Sequence, residues 1–204
     1  MKITVYKNDL PNDFILSGDL AIDTETMGLN LHRDRLCVIQ ISNGDGDSYL
    51  VQFVDGKYNA SNLQKLLSNE DSVKIFHYAR FDVAIIKKYL NVDLKNIFCT
   101  KIASRLVRTY TDHHGLKDLC RELLNINISK QQQSSNWSAP ELSEDQQEYA
   151  AKDVIYLHAL RDILAKRLIE LDRNKIAQKM FEFLPTRAAL DLIGWNDVDL
   201  FAHS

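Results

Sequence analysis

The sequence predicts one mixed α/β domain over residues 1–204, in which an antiparallel meander of strands is flanked by helices. Short β-branched and apolar runs separated by turn residues fill the first third of the chain. From residue 79 onward the apolar positions follow helical periodicity. The 204 residues are 45% hydrophobic, which is enough for one domain with a full core.

Four strands are predicted in the first half of the chain. Residues 20–22 lead into a pair of acidic residues, and residues 36–41 and 49–53 follow as apolar runs. The segment 43–47, Asn-Gly-Asp-Gly-Asp, indicates a tight turn that joins these two runs as an antiparallel hairpin. Residues 73–76 form a further short strand.

The helices are predicted from the spacing of apolar residues and from their caps. A polar loop at residues 131–136 precedes the longest one, whose first residues, Ser143 to Gln146, match a capping box. The last helix is expected to end at Pro185, which cannot donate a backbone hydrogen bond. The helices are expected at residues 63–67, 81–89, 102–107, 115–124, about 143–171 and about 174–183.

Composition limits the class of protein. The formal net charge of −3 argues against a protein that holds long nucleic acid by bulk electrostatics, but not against a small anionic substrate, because bound divalent cations would reverse the local field. Cys37, Cys99 and Cys120 are widely spaced, as reduced thiols of a cytoplasmic protein would be. The N-terminus lacks an apolar leader and no run approaches the roughly 18 apolar residues of a membrane span, so no membrane association is expected.

Four carboxylates lie in three short motifs, and their order suggests a two-metal phosphodiesterase. Asp23 and Glu25 are two apart on a strand and share a face, and Tyr149 lies one helical turn before Asp153. Asp82 falls in the first turn of a helix that follows a strand. Two divalent ions about 4 Å apart can activate water and stabilise a reacting phosphate, and such ions prefer oxygen ligands.

Each motif has an ordinary structural alternative. An Asp-x-Glu strand can be a solvated edge, Asp82 suits the positive end of a helix dipole, and a Tyr-x-x-x-Asp pair is usually packing. The three motifs together, in this order and on these elements, favour the metal site.

The motifs resemble those of the DEDDy class of 3′-to-5′ exonucleases, which includes RNase D and proofreading exonuclease domains. The resemblance covers about residues 20–168 and implies an RNase H-like fold. Asp23, Glu25, Asp82 and Asp153 would hold two Mg²⁺ or Mn²⁺ ions, with Asp23 bridging them. Tyr149 would orient the attacking water, since an unperturbed tyrosine titrates near pH 10 and is a poor base alone.

A tyrosine four residues before the last carboxylate, rather than a histidine near it, distinguishes this class from its sister enzymes. His158 follows Asp153 by five residues, and we expect it to be partly buried and not catalytic.

Three further stretches resemble the bacterial nano-RNase C group, as does the short length. They are residues 23–30, 101–110 and 199–204. This resemblance implies the degradation of dinucleotides and other very short RNA to mononucleotides, by a ring-like homo-octamer.

The substrate contacts are expected around these motifs. Leu29 occupies the place at which related enzymes wedge a leucine between two bases, although core packing is an alternative, and Gly28 would permit close backbone approach. His77 and Phe81 precede Asp82 in the second motif and are expected to line the pocket, with Phe81 also a candidate for the core. The candidate substrate-binding residues are Thr24, Met27, Gly28, Leu29, His77, Phe81, Arg108, Lys130, Gln133 and Trp137.

A row of cations is expected at one face of the helix at residues 102–107. Lys101, Arg105 and Arg108 recur at helical spacing. They form either a solvated helix face or a cationic cap for the 5′-phosphate of the substrate, and a rigid cap would limit substrate length.

The C-terminal segment, residues 185–204, is rich in apolar side chains for a chain end. It either folds back on the domain or packs against a neighbouring subunit, and the family resemblance favours a contribution to assembly.

Three functions remain open from the sequence. The first is a metal-dependent 3′-5′ exoribonuclease acting on dinucleotides and very short RNA. The second is a broader RNase D-like exonuclease that trims longer RNA or single-stranded DNA. The third is an inactive nucleic-acid-binding relative, which the complete set of four carboxylates and Tyr149 disfavours, because a binding module has no need of buried like charges.

Overall fold

The computed structural model of the chain describes residues 1–129, 131–132 and 134–203. Its centre is a six-stranded mixed sheet. The strands are β1 (Ile3–Lys7), β2 (Leu20–Thr26), β3 (Leu36–Ser42), β4 (Ser48–Gln52), β5 (Lys74–Phe76) and β6 (Ile97–Cys99). Their order across the sheet is β1-β4-β3-β2-β5-β6.

The middle of the sheet is the predicted antiparallel meander. β2 pairs with β3 and β3 with β4 in antiparallel register, which confirms the hairpin at residues 43–47. β1, β5 and β6 extend the sheet by parallel pairing. β1 and β6 were not predicted, and β6 has only 3 residues, too few for a period-2 pattern to stand out.

The helices lie in the positions that the periodicity predicts, with two corrections. They are α1 (Ser61–Leu67), α2 (Ala79–Leu90), α3 (Thr100–Val107), α4 (Leu116–Leu124), α5 (Glu144–Ile155), α6 (Leu157–Glu170) and α7 (Asn174–Leu192).

The first correction concerns the long helix expected over residues 143–171, which is two helices. Its start is as predicted, because Ser143 and Gln146 form a complete capping box. The helix is interrupted at Tyr156, with φ −94° and ψ −8°. The helices on the two sides of the interruption pack on different elements. Helix α5 packs on β2, β3 and β4, whereas α6 packs mainly on α3 and α4.

The second correction concerns Pro185, which does not end the last helix. α7 continues through it to Leu192. A proline inside a helix costs about 3 kcal/mol, but the buried face formed by Phe181, Leu184 and Ala188 continues across it and packs against α2. Residues 186–192 therefore belong to the domain, and the exposed tail begins at Ile193.

Two apolar clusters pack against the sheet. The larger contains buried residues from the strands and from each of the helices α1 to α7. The smaller lies beneath α5, where Trp137, Leu142 and Ala150 meet Val38 and Leu50 of the sheet. Cys37, Cys99 and Cys120 are buried and unbridged, as predicted. Among the helices that the structure describes, none combines the length and the apolar character that a bilayer crossing demands.

Candidate active site

Strand β2 carries the first two carboxylates to the sheet face that α5 covers. Asp23 and Glu25 are both half-buried, and Glu25 lies beside a register shift between β2 and β3. Asp23 pairs in register with Gln40 of β3. The Gln40 Nε2 donates a hydrogen bond of 2.6 Å to Asp23 Oδ2.

Helix α5 brings Asp153 to the same place. One carboxylate oxygen from each of Asp23, Glu25 and Asp153 lies within 4.8 Å of the other two. Tyr149, one turn before Asp153, is hydrogen-bonded to that carboxylate through its phenol group. Its ring packs 6.0 Å from the ring of Trp137, between centroids.

Helix α2 contributes Asp82 to the same cleft. Asp82 lies in the first turn of α2, and the turn into this helix passes through Tyr78, whose φ of 70° is unusual for a bulky residue. Thr24 points away from Asp23, as predicted for alternate positions of a strand, and its Oγ1 donates a 2.6 Å hydrogen bond to Asp82 Oδ1. The Thr24 hydroxyl therefore contacts a carboxylate of the site.

The four carboxylates are crowded together: Asp82 is buried, and Asp23, Glu25 and Asp153 are half-buried. Burial, followed by the charges of neighbouring carboxylates, holds the pKa of Asp23 and of Glu25 well above the ordinary range. Burial also raises the pKa of Asp82 to about 7. The pKa of Tyr149 is raised by burial and then by Asp153, so its phenol is neutral at neutral pH.

This donor set fits divalent metal ions. Oxygen ligands from several carboxylates at short range are what Mg²⁺ and Mn²⁺ prefer. A cation between them would offset both the mutual repulsion and the desolvation that raise the pKa of Asp23 and Glu25. The residues present therefore match the predicted cofactors.

The carboxylates open into a cleft of about 570 Å³. Leu29 lies at its rim and is 84% exposed, so the alternative of core packing for Leu29 is wrong. His77 is half-buried, with Nδ1 2.9 Å from Thr100 Oγ1. Seven of the ten predicted substrate-binding residues line the cleft: Thr24, Met27, Gly28, Leu29, His77, Phe81 and Trp137. Lys130 and Gln133 lie outside the described residues.

Arg108 does not face the cleft, contrary to the cationic cap that the helical spacing suggested. Its side chain is 0% exposed and is paired with Glu122 of α4. The guanidinium also donates to Ser104 Oγ and to the backbone oxygen of His113. A fully buried guanidinium needs these partners, and they turn it away from the carboxylates.

Two residues of the cleft region were missed in the sequence. Gln40 interrupts the apolar run of β3, and a polar side chain in a central strand is a signal that could have found it. Lys117 lines the cleft from the first turn of α4. A cation is unfavourable there, because it lies at the positive end of the helix dipole. Lys101 lines the cleft as well, with its Nζ 4.2 Å from the centroid of the Tyr78 ring.

His158 has no part in the cleft. It is half-buried, and its Nε2 lies 3.0 Å from the backbone oxygen of Asp19. The prediction that it is partly buried is confirmed.

Comparison with known proteins places this geometry in a family. Residues 3–169 match the model of the 3′-5′ exonuclease family. The chain belongs to that family. Its fold and the order of its motifs agree with this assignment, and the enzyme class expected from the carboxylates is confirmed.

Solved structures of similar length narrow the likeness. Brucella melitensis NrnC bound to pGG is 54% identical, with complete coverage of both chains and a TM-score of 0.96. Brucella melitensis NrnC with bound Mg²⁺ is 53% identical, again over both whole chains, with a TM-score of 0.95. The resemblance to the nano-RNase C group, and with it the RNase H-like fold, is thereby confirmed.

Ribonuclease D enzymes are more distant relatives. The enzyme of Jannaschia sp. (strain CCS1) is 29% identical over 158 residues, which are 76% of this chain but 41% of that protein. The chain thus spans about two fifths of the length of this curated relative.

Proposed function

We propose that this protein is a metal-dependent 3′-5′ exoribonuclease that hydrolyses dinucleotides and very short RNA to nucleoside 5′-monophosphates. The observation that carries the proposal is the convergence of Asp23, Glu25 and Asp153 within 4.8 Å, beside Asp82 and Tyr149. The likeness over the whole chain to an NrnC bound to pGG supports the choice of substrate.

In this proposal the four carboxylates would hold two divalent cations, Mg²⁺ or Mn²⁺. When bound, such cations activate water and stabilise negative charge on the reacting phosphate. Thr24 and Gln40 fix the orientation of Asp82 and Asp23 through hydrogen bonds of 2.6 Å each. Tyr149, a neutral phenol held by Asp153, orients the attacking water.

The shape of the surface supports a short substrate. A second cavity, of about 480 Å³, adjoins the carboxylate cleft, and Leu29, Tyr78 and Phe81 line both. Leu29 thus stands at the junction of two spaces, each of the order of size of a small ligand site. We assign it the role of a wedge between two bases.

The cleft also offers cations for a substrate phosphate. With Arg108 buried against Glu122, we assign Lys117 and Lys101 to this role, because both line the cleft. Replacing Lys117 with Gln should slow hydrolysis of a 5′-phosphorylated dinucleotide more than that of its unphosphorylated counterpart. If the substitution slows the hydrolysis of both substrates by the same factor, Lys117 does not have this role.

Assembly and location extend the proposal. The resemblance to the nano-RNase C group supports a homo-octamer, and the three buried, unbridged cysteines support a cytoplasmic location. The C-terminal tail leaves Ile193, Trp195, Val198, Leu200 and Phe201 exposed, and a subunit interface would cover such side chains.

The direct test of the chemistry is the hydrolysis of pGG by the purified protein with Mg²⁺, with Mn²⁺ and with EDTA. We expect cleavage with either ion, none with EDTA, and at least a 100-fold loss in Asp23→Asn. Asp13→Asn, in an exposed loop, is the matched control and should keep full activity. Cleavage that continues in EDTA would refute the metal site, and no cleavage under any condition would favour the inactive binding relative.

A broader RNase D-like exonuclease is the second candidate, supported by the 29% identity to Ribonuclease D. It predicts that RNAs of about ten nucleotides are shortened as fast as the dinucleotide is cleaved.

A further inference from the structure

We propose that Gln40 is a positioning residue that presets the Asp23 carboxylate for cation binding. The inference rests on the proposed function and deepens it, because the cation affinity of the site would then depend on a residue outside the four carboxylates. Gln40 lies on β3, directly opposite Asp23 in the antiparallel register.

The contact between the two side chains is short and sheltered. Gln40 is fully buried, and its Nε2 donates a 2.6 Å hydrogen bond to Asp23 Oδ2. One oxygen of Asp23 is thereby held in place, which fixes the rotation of the carboxylate about its Cβ–Cγ bond. In metal sites, partners of this kind orient the ligands and tune metal affinity.

The oxygen end of the Gln40 amide indicates that the amide is present to bind Asp23. Gln40 Oε1 is buried and has no hydrogen-bond partner in the described part of the chain. Reversing the amide would place Oε1 against the Asp23 carboxylate, two acceptors face to face. An apolar side chain would fill this position of β3 without a buried unpaired oxygen, so packing does not call for glutamine here.

Gln52 provides an internal comparison. It is an equally buried glutamine on the neighbouring strand β4, but its amide is fully used by structural partners. It accepts from Lys7 Nζ and donates to the backbone oxygen of Ala139. Removing the Gln52 amide removes buried hydrogen bonds without touching a site carboxylate.

The test measures cation binding without RNA, through the EPR signal of free Mn²⁺ during titration of the purified protein. We expect Gln40→Met to weaken Mn²⁺ binding about 10- to 100-fold. The Mg²⁺ concentration for half-maximal hydrolysis of pGG should rise in parallel, whereas KM for pGG at saturating Mg²⁺ stays near that of the wild type. Gln52→Met should leave both metal midpoints unchanged, whatever it does to the melting temperature.

Gln40→Asn guards against a folding defect in the first variant. It keeps a buried amide but withdraws it by one methylene from Asp23, so we expect the same weakening. Wild-type Mn²⁺ affinity in a folded Gln40→Met protein, or in Gln40→Asn if the first does not fold, would overturn the inference and leave the proposed function intact. Absence of Mn²⁺ binding by the wild type would overturn both.

Discussion

At the residue scale, the carboxylates of the site are fixed by side chains from different elements. Gln40 holds Asp23 from a neighbouring strand, and Thr24 of β2 holds Asp82 of α2. In the proposed metal site, such contacts would keep the carboxylates oriented before a cation binds and so lower the ordering cost of binding.

The exposed side chain of Leu29 gives the clearest separation of binding from stability. Because it is 84% exposed, Leu29→Ala should change the free energy of unfolding by less than about 0.5 kcal/mol. If it stacks between two bases, KM for pGG should rise about tenfold, equivalent to roughly 1.4 kcal/mol of lost contact. Steady-state kinetics measure this. Ile15→Ala, at a side chain that is 88% exposed and lines neither cavity described above, is the matched control. A KM unchanged in both variants would contradict the wedge.

The Arg108–Glu122 pair predicts a specific loss of stability in acid. Hydrogen bonds from Arg108 and Tyr110 lower the pKa of Glu122 to about 2 in the folded protein, below its ordinary value of 4.5. The stabilisation is therefore complete above pH 4.5 and is lost as the pH falls toward 2. Since Glu122 is 39% exposed, solvent screening reduces the effect to about 1 kcal/mol.

Urea unfolding at pH 6 and at pH 3 tests this pair. The wild type should lose about 1 kcal/mol more than Glu122→Gln between the two pH values. Equal losses would show that the pair contributes nothing to the acid response.

Individual residues of the site were predictable where spacing alone fixes geometry. Asp23 with Glu25, and Tyr149 with Asp153, share faces because strand and helix periods dictate it. Arg108 obeyed the same helical spacing but lies elsewhere, since its orientation is decided by Glu122, a partner from another helix. Gln40 acts through a partner on another strand, which sequence spacing does not reveal.

At the element scale, the end of α7 is fastened to the start of α2. Asp191 is 3% exposed at its side chain and accepts two hydrogen bonds from Arg80, which lies two residues before Asp82. Arg187 donates to the same carboxylate, and both arginines reach the backbone oxygen of Asn196. The C-terminal segment is thereby tied to the helix that carries Asp82.

We expect Asp191→Asn to destabilise the protein by about 3 kcal/mol, because it leaves two arginines without a buried carboxylate. The pGG hydrolysis rate should also fall, through displacement of the start of α2. Urea unfolding and kinetics measure the two effects. Glu182→Gln, in the exposed pair with Lys179 on the same helix, should change neither. An Asp191→Asn protein as stable as this control would contradict the role of the network.

Element boundaries were predictable where local chemistry decides them. The capping box at Ser143 marked the start of α5 correctly. The prediction that the last helix ends at Pro185 was wrong, because packing of α7 against α2 outweighs the loss of one backbone hydrogen bond. The interruption at Tyr156 depends on the different surfaces that α5 and α6 cover, which no local pattern records.

At the scale of the whole molecule, the exposed tail bears on assembly. Cutting the chain after Val198 removes Leu200 and Phe201 but keeps the backbone oxygens that Arg187 and Arg80 contact. If the tail lies at a subunit interface, this truncation should lower the mass of the assembly measured by light scattering. The melting temperature of the separate subunit should stay similar. Phe201→Ser is a milder variant for the same measurement, and an unchanged mass in both would exclude these side chains from the interface.

The overall fold was predictable because the strands at the centre of the sheet are also neighbours in the sequence. The meander from β2 to β4 joins sequential strands by short connections, which period-2 patterns reveal. The strand order at the edges was not predictable, because β1 pairs with β4 across more than forty residues and β6 is only 3 residues long. The prediction of the site does not depend on these edge strands, because every carboxylate of the site lies on β2, α2 or α5.

The proposed preference for dinucleotides is best tested by a competition between 5′-labelled RNAs of two to about ten nucleotides, in one reaction with Mg²⁺. We expect the dinucleotide to be consumed first, by at least tenfold in kcat/KM, and we expect Leu29→Ala to reduce this preference. Stepwise shortening of the longer RNAs at the same or a higher rate would contradict it and favour an exonuclease of the Ribonuclease D kind.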